Sequence, residues 1–169
     1  MNHEEFTEAA EYWTRKEALQ EKPPREKILK RITGFIKSNN TCALATGTGD
    51  FVRCTPIEYS YHEGAFWMFS EGGQKFRALE KNTNVCLAIY EKYKGFGEIE
   101  GLQVMGEAEI VEPFSEEYLA EIEWKKIPLK AFEKLPRPMC LIKVTPKHFD
   151  FLCSALKEEG LDVRQPLEI

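Results

Sequence analysis

At Thr41 the hydrophobic period of this 169-residue chain changes, and that change limits the folds open to it. Before it, apolar residues recur every three to four positions, first as Phe6, Ala9, Ala10 and Trp13, then as Ile28, Leu29, Ile32, Phe35 and Ile36. Such stripes belong to two amphipathic helices, the first turned toward a partner surface. Pro23 and Pro24 separate them, and the polar residues 38–40 end the second. After Thr41 come three runs rich in β-branched and aromatic residues, TCALAT, FVRCTPIEYSY and AFWMFS, joined only by GTGD and HEG. Connections this short join antiparallel neighbours, so residues 41–70 read as a meander. Pro56 has no N–H to give to a ladder, which places its strand at a sheet edge or on a bulge.

The same reading continues to the C-terminus. QKFRALEKN suits a short helix, and VCLAIY a buried strand. Residues 91–101 form a polar, glycine-bearing loop. LQVMGEAEIVE then alternates as a strand in which Gly106 marks a bulge or a close backbone approach. Ser115 opens a helix with Tyr118, Leu119 and Ile122 inward, a shorter helix lies between Pro128 and Pro136, and CLIKVTP and FDFL supply the last strands. The expected fold is mainly β (α+β), a six-to-seven-stranded antiparallel split β-barrel with N-terminal and inserted helices, because closure removes exposed strand edges. The expected organisation is a single domain: a helical segment 1–40, a barrel 41–153 and a peripheral tail 154–169.

Composition excludes several classes of partner. With 23 Lys and Arg against 28 Asp and Glu, the net charge of -5 gives no general attraction to phosphate backbones or anionic lipid. No run approaches the ~20 apolar residues a membrane helix needs, and MNHEEFTEAAEYW lacks the basic-then-apolar layout of a secretion signal, so a cytoplasmic location is expected. The five cysteines are odd in number and form no CxxC pair, and four lie in apolar runs, so they read as small hydrophobes in a reducing compartment. No metal site is expected. No Ser/His/Asp grouping stands out, and no catalytic residue is assigned.

The richest chemical signal is the stretch Ser70-Glu71-Gly72-Gly73-Gln74-Lys75-Phe76-Arg77. A strand that ends at a hydroxyl residue, passes through glycines and opens a helix gathers N–H groups, a hydroxyl and two cations, as a phosphate group requires. Ordinary helix-start chemistry explains the same residues, and better when the segment is taken alone. Arg53 stands in an apolar strand on the face of Thr55, Ile57 and Tyr59, where it must reach an anion, water, or a salt bridge to Glu58 or Glu63. Gln103, between Leu102 and Val104, is either a contact to a heterocycle edge or a solvated outer-face amide. Phe66, Trp67 and Phe69 with Tyr59, Tyr61 and Tyr90 serve as core or as a stack for a flat ligand.

Taken in order over residues 28–152, these pieces resemble the pyridoxamine 5'-phosphate oxidase-like family of FMN-binding split barrels, and the nitroimidazole-reductase-like branch more than the oxidase itself. The resemblance implies that Arg53, Thr55, Ser70, Gln74 and Lys75 hold the FMN phosphate and ribityl region, with Gln74 where a second basic residue often stands, and that Gln103 contacts the flavin. It also implies a homodimer with the cofactor site at the interface. Two departures matter: Glu58 replaces an expected basic residue, and SALKEEGLDVRQPLEI offers only Arg164 where the oxidase carries its substrate-recognising Arg and His cluster. Vitamin B6 oxidation is therefore not expected. The expected function is an FMN flavoprotein, an oxidoreductase passing electrons from a reduced nicotinamide, NAD(P)H, to a small planar acceptor. A non-catalytic flavin- or haem-binding or storage protein on the same barrel is the alternative, and a deazaflavin could replace FMN.

Overall fold

The computed structural model describes residues 1–20 and 22–169. In chain order its elements are α1 (His3–Glu17), α2 (Arg25–Ser38), β1 (Thr41–Thr48), β2 (Phe51–Glu58), β3 (Ser60–His62), β4 (Ala65–Ser70), α3 (Lys75–Leu79), β5 (Asn84–Tyr90), β6 (Glu100–Val111), α4 (Glu116–Trp124), α5 (Leu129–Glu133), β7 (Cys140–Cys153) and β8 (Arg164–Glu168). All strand pairs are antiparallel, in the order β2-β1-β5-β6-β7-β4-β3, with β8 also on β7. The two ends of that order, β2 and β3, are consecutive in sequence. The chain changes sheet edge at Tyr59, whose N–H donates to the Asn40 carbonyl (2.8 Å) and whose hydroxyl donates to the Ile36 carbonyl (2.7 Å). This corner curls the sheet into the expected split barrel, and β2 approaches β4 across the opening.

The sheet path has seven strands, as expected, with β8 added on β7, and two details differ from the reading of the sequence. FVRCTPIEYSY is two strands rather than one, because its two halves pair with opposite edges of the sheet. The tail read as peripheral adds β8 along the second half of β7, beyond the part that pairs with β4, and buries Gln165. Pro56 does lie on an edge strand, β2. Gly106 sits at the register shift in the β6–β7 ladder. A Cβ there would stand 2.6 Å from the Thr145 carbonyl oxygen and 2.9 Å from Val144 Cγ1, so the bulge needs glycine.

The barrel interior is filled by Leu44, Phe66, Met68, Leu87, Ile89, Val104, Ile142, Val144, Phe149 and Phe151, with Ile28, Ile32, Phe35 and Ile36 of α2 packed among them. β4 is covered on both faces: Phe66 and Met68 point into the barrel, while Ala65 and Trp67 meet Tyr118, Ile122 and Phe132 of α4 and α5 outside it. The first helix departs from expectation. No residue of α1 is buried, and Phe6 and Tyr12 are exposed. Among the described residues its last turns carry the attachments, ion pairs of Lys16 with Asp162 (3.2 Å) and Glu17 with Arg164 (3.4 Å) and the Arg164 guanidinium 5.1 Å from the Trp13 ring centre. Among the described residues no helix is long and apolar enough to cross a membrane.

Candidate functional site

Where β4 ends, Ser70 is buried at 7% exposure and its Oγ lies 3.2 Å from both the N–H and the carbonyl of Gly72. Gly72 and Gly73 adopt φ values of 130° and 105°, a region that L side chains rarely occupy, so the turn depends on both glycines. The turn brings back Lys75, which is only 6% exposed and donates from Nζ to the Gly72 carbonyl at 2.6 Å. Among the described residues no carboxylate pairs with this ammonium, and burial pushes its pKa below the ordinary lysine value, the Cys140 thiol opposing slightly. Gln74 sits at the start of α3, exposed and making no capping bond.

α3 packs against β1 and β2, which puts the edge strand beside this turn. The Asn82 amide donates to the Gly47 carbonyl (2.8 Å), and the Arg77 guanidinium lies 4.8 Å from the Phe51 ring centre. On β2, Arg53 stands opposite Thr46 and Thr55 opposite Leu44, both on the barrel-facing side of the ladder. Glu58 pairs with Lys125 at 3.1 Å, so the salt bridge allowed for Arg53 is not made with it, and Arg53 has no partner among the described residues. Its cross-strand neighbour Thr46 has a buried hydroxyl with no hydrogen-bond partner. A third cation comes from far along the chain: Arg137 Nη2 is 3.9 Å from where a Cβ of Gly72 would stand. No local pattern marks Arg137, because only the path from α5 to β7 carries it there.

A phosphate monoester fits this donor set. Ser70, Lys75, Arg53 and Arg137 supply one hydroxyl and three cations, and among the described residues Lys75 alone of the three cations has a hydrogen-bond partner, a carbonyl. Gln103 lies elsewhere. It is on the opposite, outward side of the sheet, three strands from β2 or about 14 Å, in a cavity of about 410 Å³ lined by Trp13, Tyr90, Leu152 and Arg164 among others. One chain therefore does not enclose all six candidate residues in a single pocket. Of the aromatic candidates, Tyr59, Phe66 and Trp67 are core, whereas Tyr90 is exposed at the rim of that cavity.

The fold also makes a Ser/His/Glu grouping that the sequence did not reveal. Glu121 of α4, 1% exposed, accepts from the Ser60 hydroxyl, and its other oxygen lies 2.5 Å from His62 Nε2. The His62 ring is stacked between Trp67 and Trp124, at 5.3 and 4.6 Å. A nucleophile relay needs the histidine between the hydroxyl and the carboxylate. Here the carboxylate is in the middle, so the imidazole does not face Ser60 and the cluster fastens α4 to the sheet. The thiols are no better as nucleophiles where they are buried: burial first, then the Cys54 thiol, pushes Cys42 up to about 12.

A curled antiparallel half-barrel with Ser70 and Lys75 buried where β4 ends defines a class of split barrels. Residues 28–153 match the model of the pyridoxamine 5'-phosphate oxidase family, and the chain belongs to that family. Solved structures agree on the fold. The chain is similar to a FAD-binding protein from Mesorhizobium loti (18% identity over 72% of this chain and 89% of that one, TM-score 0.59). It is also similar to the haem storage protein HutZ from Vibrio cholerae (19%, 69% and 88%, 0.58) and to a NimC/NimA family protein from Clostridium acetobutylicum (18%, 83% and 91%, 0.57). None of the curated proteins searched matches the sequence.

Proposed function

We propose that this protein is an FMN-binding oxidoreductase that passes electrons from NAD(P)H to a small planar acceptor. The observation that carries the reading is Lys75, a buried ammonium facing a carbonyl with no counter-charge. Such a group costs stability unless an anion arrives to pair with it. Ser70 lies in the same turn, Arg53 stands on the edge strand that α3 packs against, and a dianionic phosphate would offer each of them a charge-assisted bond. Bound FMN would supply the two-electron redox chemistry. The chain's own residues then anchor the phosphate and leave Gln103 to orient a ring by its amide.

The sheet's outward face supports a second copy as part of the site. Ala43, Ala45, Cys86, Ala88 and Met105 form an apolar, small-residue surface beside Gln103 that no element of the chain covers fully. A homodimer closed there would set each Gln103 against the other chain.

The test is a pair of titrations with FMN and riboflavin on the purified protein, followed by anaerobic addition of NADH. FMN is expected to bind at least thirtyfold more tightly than riboflavin, and NADH to bleach its visible absorption. Equal affinity for the two flavins, or none for FMN, overturns the reading.

One observation favours storage of haem as a second reading. His148 has Nδ1 held 2.7 Å from Glu168, which leaves Nε2 as the free nitrogen on the same outward face, next to Met105. A Soret band on adding haem, lost in His148→Ala, is its signature.

A further inference from the structure

We infer that α1 is an exchange arm: its first three turns dock on a second copy of the chain, across that copy's edge strand β2, beside the phosphate cradle. This docking rests on the two-chain flavin site proposed above and names what the second copy adds to it. Among the described residues the arm has no seat on its own chain, since every hydrogen bond and ion pair of residues 3–12 stays within residues 1–17. Its start is nonetheless finished by a capping box, in which the Glu5 N–H donates to Asn2 Oδ1 (2.9 Å) and the Asn2 N–H to Glu5 Oε2 (2.8 Å). A helix of 15 residues is marginal in water unless an apolar face packs against something. Here Phe6 is 61% exposed, and Ala9 and Ala10 of the same stripe lie open beside it. Glu4 and Glu8 add like charges one turn apart.

Symmetry leads the arm to β2. The outward face of the sheet runs in two rows across five strands, Pro56, Ala43, Ala88, Gln103, Asp150 and Cys54, Ala45, Cys86, Met105, His148. The arm is tied to its β7 end, where Arg164 donates from Nε to Asp150 Oδ1 (2.7 Å) and lies against Trp13. From there β2 is four strand spacings away, about 19 Å, and residues 3–12 rise about 15 Å. The phosphate cradle lies at the β2 end of this face and Gln103 toward the β7 end. A twofold dimer in which each cradle meets the other copy's Gln103 therefore lays the β7 end of one face over the β2 end of the other. The same operation carries the arm of one copy to β2 of its partner.

The two surfaces are complementary. Val52 is 72% exposed on β2, with Cys54 and Pro56 exposed on the same side of the ladder. A bare edge strand invites wrong pairing, and a helix laid over it is one way to cover it. The charges are opposite as well. Residues 1–12 carry Glu4, Glu5, Glu8 and Glu11 and no Lys or Arg. The N-terminal ammonium and Arg15 match Glu5 and Glu11, which leaves Glu4 and Glu8 without an ion pair among the described residues. β2 and α3 carry Arg53, Lys75 and Arg77 against one acid, Glu58, which Lys125 already neutralises. Opposite charge on the two sides favours the docked state and fixes its register.

Sedimentation equilibrium of the full-length protein reads the docking as a dimer constant, and cross-linking locates it. Phe6→Lys, at an exposed position that leaves the protomer's fold intact, is expected to weaken the dimer at least tenfold. Glu4→Lys with Glu8→Lys is expected to weaken it at least fivefold in low salt, and adding Arg77→Glu to bring it back within twofold of the wild type. Ala9→Cys treated with a short bismaleimide is expected to give a covalent dimer on a denaturing gel, joined from position 9 of one chain to Cys54 of the other, and Cys54→Ser to abolish that linkage. A wild-type monomer at hundred-micromolar concentration, a linkage from 9 to 54 formed within one chain, or a dimer indifferent to Phe6→Lys overturns the inference. An FMN titration run alongside separates the two readings. FMN bound by a dimer indifferent to Phe6→Lys sinks this inference and keeps the flavin reading, and an arm-dependent dimer that takes no FMN does the reverse.

Discussion

Two buried charges in this barrel have opposite surroundings. Glu121 is surrounded by partners: the Ser60 hydroxyl, the His62 ring and a pair of tryptophans on either side of that ring. Lys75, equally hidden, has one carbonyl and no opposite charge. A completed buried network is there for architecture, since every member would cost free energy if left alone. An incomplete one carries a standing cost, and families keep such costs where a ligand relieves them. The contrast therefore separates a fastening from a site, although both contain a serine and a titratable side chain within a few residues of the same strand, β4.

The largest expected effect comes from breaking the completed network. Glu121→Ala strands the Ser60 hydroxyl and the His62 ring and should destabilise the fold by about 3 kcal/mol or more in chemical denaturation. Flavin affinity of the fraction still folded should not change. Next is Lys75→Met, which should weaken FMN binding by about 2 kcal/mol, roughly thirtyfold. The same variant should leave the flavin-free protein as stable as before or slightly more so, because an uncompensated charge has been removed. A large loss of stability in this variant would mean that Lys75 is structural, like Glu121, and would dissolve the comparison.

The two serines sharpen it at a smaller scale. Ser60→Ala removes a donor from a buried carboxylate and should cost about 1–2 kcal/mol of stability with FMN affinity intact. Ser70→Ala should do the reverse, lowering FMN affinity by about 1 kcal/mol with less effect on unfolding. Thermal or denaturant melts paired with flavin titrations read both quantities on the same samples.

The smallest effect is in pH. Burial lowers the pKa of Lys75 in the flavin-free protein, and an adjacent phosphate raises it again, so binding takes up a proton in alkaline solution. FMN affinity should fall as pH rises through the lowered lysine value, well before the usual 10.5. Stability without ligand moves the other way: in the window between the lowered value and 10.5 the unfolded chain binds more protons, so the contribution of Lys75 rises with pH. The slope should vanish in Lys75→Met.

Much of the barrel was readable because it is written in local rules. Pro56 names an edge through its missing donor, Gly106 names a bulge through the space a side chain would need, and the GTGD and HEG turns fix antiparallel neighbours. Residues Ser70 to Lys75 were legible for the same reason, as a strand end and a glycine turn lie within six positions. The meeting of Ser60, His62 and Glu121 was not, since 59 and 61 residues separate the carboxylate from its partners. Nor was the approach of Arg137 to Gly72, the corner at Tyr59 or the use of the tail as a strand.

Alternation of apolar side chains, turn residues and the order of motifs were enough to specify most of the strands, the fold class and the family, because each acts over a few neighbouring bonds. Which charges ended up compensated, and which were left waiting for a partner, depended on how distant segments packed. That is a tertiary property: the electrostatic cost of a buried group is set by what surrounds it in space, and neighbours in space are chosen only when the sheet curls and the helices settle on it.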